Sequence, residues 1–448
     1  MTDHFMDLSY LYFLQYEILD LYADRIAESE LSKIQSPVAE TNLFIAALPE
    51  FNYDCLEKIF ERLAAKGFKS INILVNDQIN LIRPLPEITS TTVLEKCKII
   101  PILYHPWWCM KEMEQKNLAS PKWNPDIRKG LLRTGNLNRY TRIGILKLLY
   151  DHNLLDKIVW TLPNAERQKI NVLKYFAKWN NNIPKNFEEF YEYVARHAIT
   201  NPNSILIKDV DPKLKEILPN EFFTDWFIES FAQANFSIIS ESDFSYGAIS
   251  EKSYLTMLHK HPFIIVNTPK HVEKLKQLGF KTFENYLPCD HYINIEDDRL
   301  RLDLIIENIR SFQKIIEDRK EEIAADVEHN YNLCLQMAAE TERQLKNLSD
   351  VLTADNLLNL NFLTFSNVDL DLFIEYKKQD KILWQEKKRK EFLEKYNVYK
   401  GADWPEIHSE SDFEQLPEWV KQEAKTKFDF PRDLINRNII NAYLQDNR

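Results

Sequence analysis

Residues 236–283 read FSIIS ESDFSYGAIS EKSYLTMLHK HPFIIVNTPK HVEKLKQLGF KTF. Phe236 to Ser240 is an apolar run of strand length, and Glu251 to Lys260 has helical spacing behind Ser250. Pro262 to Asn267 is a second apolar run, and Lys270 to Leu278 a second helix, closed by Gly279. Strands alternating with helices of this length predict βαβ units and a parallel sheet. Nearer the N-terminus the rhythm recurs: a strand over Leu43 to Leu48, then a helix with Leu56, Ile59, Phe60 and Leu63 on one face. Gly67 stands at that helix's C-terminal end, ahead of a strand from Ser70 to Val75. Its Gly67-Phe68-Lys69-Ser70 echoes Gly279-Phe280-Lys281-Thr282.

Working outward, Lys98 to Tyr104 supplies a further strand that ends in the loop His105-Pro106-Trp107-Trp108, and Asn117 to Asp126 has the polar, proline-containing character of a junction. The second unit opens with a strand over Gly130 to Thr134, a Gly135-Asn136 turn, a helix over Arg139 to Tyr150 and a strand from Ile158 to Leu162. Residues 5–34 and most of 164–232 are expected to be helical. From Arg299 to Leu352 one stripe carries Ile305, Ile309, Phe312, Ile316, Ile323 and Val327, the pattern of a long helix or helical pair. The organisation expected is therefore α/β: two doubly wound, Rossmann-like domains, 1–125 and 126–298, facing a cleft, then the helical segment 299–352 and a small helical tail over 353–448.

A chain of 448 residues exceeds one ordinary core. With 68 acidic against 57 basic residues, a nucleic-acid partner is disfavoured. The seven glycines lie too far apart for any phosphate-cradling loop, so phosphate here has to be held by side chains and helix ends. Five scattered cysteines without a Cys-x-x-Cys pair signal neither a disulfide framework nor a zinc site. With no secretion-type start and no bilayer-length apolar run, the expected location is the cytoplasm. Asp209-Val210-Asp211 and Asp369-Leu370-Asp371 have metal-chelating spacing, but no fitting strand pattern surrounds them, and no metal is expected. His259 and His261 flank the end of a predicted helix, where cations would complement the dipole.

Ser250-Glu251-Lys252, the strand beginning at Pro262, and Leu278-Gly279-Phe280-Lys281-Thr282-Phe283 occur in that order. Together they resemble the donor half of fucosyltransferase-like glycosyltransferases, metal-independent enzymes of two facing domains (GT-B type). Thr134-Gly135-Asn136 with Arg142 downstream is similar to the same family's turn with a following arginine. Relatives often have an acidic Asp-Glu-x-Tyr-Asp stretch where this chain has Cys289-Asp290-His291-Tyr292-Ile293. The resemblance implies transfer of a sugar from a nucleotide diphosphate sugar to a glycan or other hydroxyl acceptor, no cofactor, and Glu251 on ribose or sugar hydroxyls.

The chemistry suits these residue types. Departing phosphates need cations and helix amides placed beforehand. Ser250 is a candidate N-cap, and Lys252 in the first helical turn opposes the dipole unless an anion faces it. Arg142 offers a second cation with a bidentate fork. Glu241, at a strand's C-terminal end, is a further candidate for the crevice, and Asn136 a turn residue beside it. The base that deprotonates the acceptor is expected from the first domain, with Glu50 and His105 at strand ends as candidates. Two rival readings are a non-catalytic interaction or assembly protein, with 299–352 (where self-association is possible) and the charged tail as its contact surfaces, and a phage-type enzyme that glycosylates nucleic acid.

Overall fold

The computed structural model describes residues 2–7, 25–29, 31–34, 38–47, 57–76, 95, 97–115, 122–133, 140–161, 186–200, 204–206, 224–226, 228–241, 249–352, 375–376 and 379. They form two α/β lobes, each built on a four-stranded parallel sheet with helices against it.

The first sheet holds β1 (Thr2–Asp7), β2 (Thr41–Ala47), β3 (Ser70–Asn76) and β4 (Cys97–Ile102), side by side in chain order. Helix α1 (Glu57–Ala65) makes the crossover from β2 to β3 and buries Ile59, Phe60 and Leu63, as its spacing predicts. Two expectations are corrected here. Residues 2–7 are a strand rather than the start of a helix, because pairing along the edge of β2 outweighs a weak helical pattern. The strand order 1-2-3-4 contains no reversal, so the first sheet is not doubly wound within the described residues.

After β4 the chain turns at once into α2 (Tyr104–Gln115). His105-Pro106-Trp107-Trp108, expected as a loop, is instead the first turn of this helix, where a proline is tolerated because its missing N–H would have no helical partner. Trp107 is buried.

The second sheet contains β5 (Gly130–Arg133), β6 (Ile158–Thr161), β9 (Phe236–Ile239) and β10 (Phe263–Ile265), in the order β10-β9-β5-β6. Helix α3 (Tyr140–Asp151) links β5 to β6, and α5 (Glu251–Leu258) links β9 to β10. Between β6 and β9 lie α4 (Phe187–Thr200) and a short antiparallel pair, β7 (Ser204–Leu206) with β8 (Thr224–Trp226), which the helical expectation for 164–232 did not include. All of β5 is buried, and a methyl added at Gly130 would overlap the Phe236 ring and come within 2.9 Å of Ile158 Cδ1. Gly130→Ala should therefore lower the urea midpoint by the equivalent of about 1–3 kcal/mol, the usual cost of overpacking.

After β10 come α6 (Pro269–Gln277), α7 (Asp298–Asp318) and α8 (Lys320–Leu348). Helix α7 packs on the second sheet, with Phe312 edge-on to Phe236 at 5.2 Å. The whole stripe from Ile305 to Val327 is buried within the chain. Helix α8 starts in that core and ends on the first lobe, where Ala338, Leu345 and Leu352 pack with Phe44, Ile100 and Trp107. Thr341 Oγ1 donates to Leu103 O at 3.1 Å, and Ser349 Oγ to Asp3 in β1. The two lobes are thus joined by a continuous helix as well as by the chain crossing at 122–129, where Trp123 Nε1 donates to Asn235 O at 2.7 Å.

Candidate functional site

The strand order of the second sheet reverses between β5 and β9, so their crossovers, α3 and α5, leave in opposite directions and open a crevice at the strands' carboxyl ends. Arg133 ends β5, Ser240 and Glu241 follow β9, and Ser250 begins α5. All are buried. Arg133, Ser240 and Lys252 line a small pocket with Leu131, Ser237, Ile238, Ile239 and Thr256.

Ser250 caps α5: its backbone is extended and its Oγ accepts from Lys252 N at 3.3 Å. That hydroxyl in turn donates to Glu241. Glu241 also accepts from Ser250 N at 3.0 Å and from Ser253 Oγ at 2.8 Å. The Lys252 Nζ sits 2.7 Å from Glu251 Oε1 and 4.0 Å from Glu241 Oε2. Burial by itself would raise the Glu251 carboxyl, yet the charge and hydrogen bond of Lys252, with His105 and Arg133 beyond it, hold it at about 2.

The first lobe enters through His105 on α2, a helix that packs directly on α5. Burial lowers its pKa, the two glutamates oppose that shift and Lys252 adds to it, so the imidazole is neutral at neutral pH. Arg133 lies with its guanidinium 5.4 Å from the centre of the Phe231 ring. Burial lowers its pKa as well, against Glu251, Cys109, Glu112 and Glu241, without approaching deprotonation at ordinary pH.

Four of the residues singled out from sequence therefore meet, Glu241, Ser250, Glu251 and Lys252, and His105 lies within reach of their charges. Arg142 is buried on α3 and is not among the residues lining the pocket. The cation sharing the pocket with Lys252 is Arg133, which the sequence reading passed over. Glu50 and Asn136 lie outside the described residues, as do Asp209, Asp211, Asp369 and Asp371. The anions facing Lys252 in this structure come from within the chain, Glu251 and Glu241. His259 and His261 are also corrected. Both are buried, and that burial depresses them to about 4 and about 3, so at neutral pH they are uncharged packing groups around Phe231 rather than cations on a helix end.

Among the described residues no group of three or more His, Cys, Asp or Glu could hold a metal ion, and no helix is long and apolar enough to cross a membrane. No protein-family model, no curated protein sequence and no solved structure matches the chain.

Proposed function

We propose that the chain is a glycosyltransferase of GT-B type whose nucleotide diphosphate sugar binds at the reversal point of the second sheet. The observation that carries this reading is the meeting, at the carboxyl ends of β5 and β9, of two buried cations, Arg133 and Lys252, with the N-terminus of α5. Open α/β sheets bind ligands at such points, and helix amides with paired cations stabilise a departing diphosphate.

With Arg133 and Lys252 set against Glu241 and Glu251, the formal charges in the pocket cancel. Donor binding on this reading is an exchange: diphosphate replaces Glu251 beside Lys252. Glu251 is the member able to move, its side chain being 23% exposed against 1% for Glu241. Once displaced, it can accept from ribose or sugar hydroxyls, as the resemblance implies. The pocket has a core of only about 10 Å3, room for a water-sized group, whereas ligand pockets take ~300–1,000 Å3, so the exchange includes an opening of the crevice. His105, kept neutral by burial, is the proposed general base for the acceptor hydroxyl, since an uncharged imidazole can take a proton. The assembly-protein alternative rests on two features: the stripe on α7 and α8 is buried inside the chain, and the charged tail lies almost entirely outside the described residues.

Calorimetric titration with UDP, GDP, CMP and their sugars, with and without a chelator, tests the reading. One nucleotide should bind with an affinity the chelator leaves unchanged and Lys252→Ala removes. Silence across the panel, or binding that Lys252→Ala leaves intact, would refute it.

A further inference from the structure

We infer that His271 is a positioning residue of this pocket, acting through Ser253 to fix the Glu241 carboxylate at the carboxyl end of β9; the inference rests on reading the pocket as the donor site. Neither His271 nor Ser253 lines the pocket, and both are fully buried. His271 stands in the first turn of α6, three residues after the N-cap Thr268, and Ser253 in the first turn of α5. Their ring and hydroxyl meet between the two helix starts, with Ser253 Oγ 3.4 Å from His271 Nε2.

The direction of each bond follows from the far end of the chain. Asn267 Oδ1 accepts from Thr268 N at 2.8 Å, which turns the Asn267 amide nitrogen toward the ring, 2.9 Å from His271 Nδ1. An amide nitrogen only donates, so Nδ1 accepts and the ring hydrogen is on Nε2. Nε2–H then donates to Ser253 Oγ, leaving that hydroxyl's hydrogen for Glu241 Oε1 at 2.8 Å. Asn267, His271, Ser253 and Glu241 form one ordered series of donors ending on a carboxylate.

This polarity excludes another use of the same residues. Ser253, His271 and Asn267 have the composition of an activated-serine device, but there the ring nitrogen facing the hydroxyl has to accept its proton. Here that nitrogen already carries one. What the series can do is hold Glu241, whose other partners are Ser250 and Lys252, so that the acid stays in place when Glu251 leaves Lys252. Orientation set by an outer hydrogen-bond partner is a recognised way of sharpening a site.

Two measurements on the full chain test this. Nitrogen-15 NMR of the His271 ring, assigned by the signal lost in His271→Gln, reads the tautomer with no ligand present. The expected result is a bare Nδ1 and a protonated Nε2 at neutral pH. A hydrogen on Nδ1, or a doubly protonated ring at neutral pH, overturns the relay. For the nucleotide diphosphate that binds best, His271→Ala and Ser253→Ala should each weaken affinity ~10-fold or more, the scale of a lost hydrogen bond to a charged group. His271→Gln, whose amide can donate where Nε2 did, should restore it to within about threefold of wild type. Equal losses in the Gln and Ala variants, or no loss in either alanine variant, would mean that His271 only packs. Absence of nucleotide binding by the wild-type chain would instead remove the donor reading, and the tautomer would still decide the relay.

Discussion

Lys252→Ala should lower stability by about 3–5 kcal/mol and abolish nucleotide diphosphate binding. The first effect arises because Nζ is the counter-charge for two glutamates, 2.7 Å from Glu251 and 4.0 Å from Glu241, in a site where its own side chain is only 10% exposed. Removing it strands carboxylates that water cannot fully reach. The second effect has a different origin and can be separated from the first. In Lys252→Met combined with Glu251→Gln, both members of the close pair become neutral groups of similar volume, an exchange that is often nearly neutral for stability. The double variant should recover most of the lost urea midpoint, yet bind no nucleotide diphosphate. If affinity returned together with stability, Lys252 would be a structural cation with no part in binding.

Acid should weaken the fold well before its carboxylates titrate. His259 and His261 have folded pKa values of about 4 and about 3, below the ordinary 6.5, chiefly because burial disfavours the charged ring. Among the described residues no carboxylate is a cause of either shift: His259 stacks on Phe231 and bonds Leu255 O at 2.8 Å, and His261 meets Ser237 Oγ at 3.0 Å. Arg133, 5.4 Å from the centre of the same Phe231 ring, opposes the charging of His259 further. Below pH 6.5 the unfolded chain takes up protons at these positions while the folded chain does not, so stability is intact above that pH and falls as pH drops toward 4 and 3. At about pH 5 the loss is about 2 kcal/mol per histidine. Glu251 adds a second window: its depressed carboxyl contributes stability above its ordinary value of 4.5, and that contribution disappears as pH falls toward about 2. Urea midpoints measured at pH 7 and pH 5 should therefore differ strongly in the wild type. The His259→Asn/His261→Asn pair, which retains a short polar group at each site, should lose most of that difference. An unchanged pH dependence would show that the two rings are not the groups that titrate.

How much of this was legible in the sequence follows from the range of the interactions concerned. The βα alternation over 236–283 and 43–75 is local, written in apolar runs and closing glycines, and both lobes follow it. The N-cap role of Ser250 is equally local, and its geometry is the one expected. Strand 2–7 was missed because its reason for being a strand is the edge of β2, some 39 residues away along the chain. The reversal of strand order in one sheet but not the other is likewise set by which edges remain open after folding, which no periodicity encodes.

Within the site, Glu241, Ser250, Glu251 and Lys252 were found because they lie at a strand end and a helix start. Arg133 is hard to single out because it closes an otherwise apolar strand. A charged residue ending such a strand, directly before a glycine-containing turn, was the available signal, since arginine is seldom buried without a task. Arg142 is the cation that the sequence suggests instead, for its place in the first turn of a helix; it stands in the first turn of α3, buried and outside the pocket's lining. One counter-charge of Lys252 is invisible for a related reason: Glu241 is eleven residues upstream and faces it only once β9 and α5 are in place.

The most direct test is a crystal structure of the chain with the nucleotide diphosphate it binds best. The account predicts the diphosphate at the carboxyl ends of β5 and β9, with a phosphate oxygen within hydrogen-bond distance of Lys252 Nζ and the Glu251 carboxylate moved out of its 2.7 Å contact. A nucleotide bound elsewhere, with Lys252 and Glu251 still paired, would contradict it.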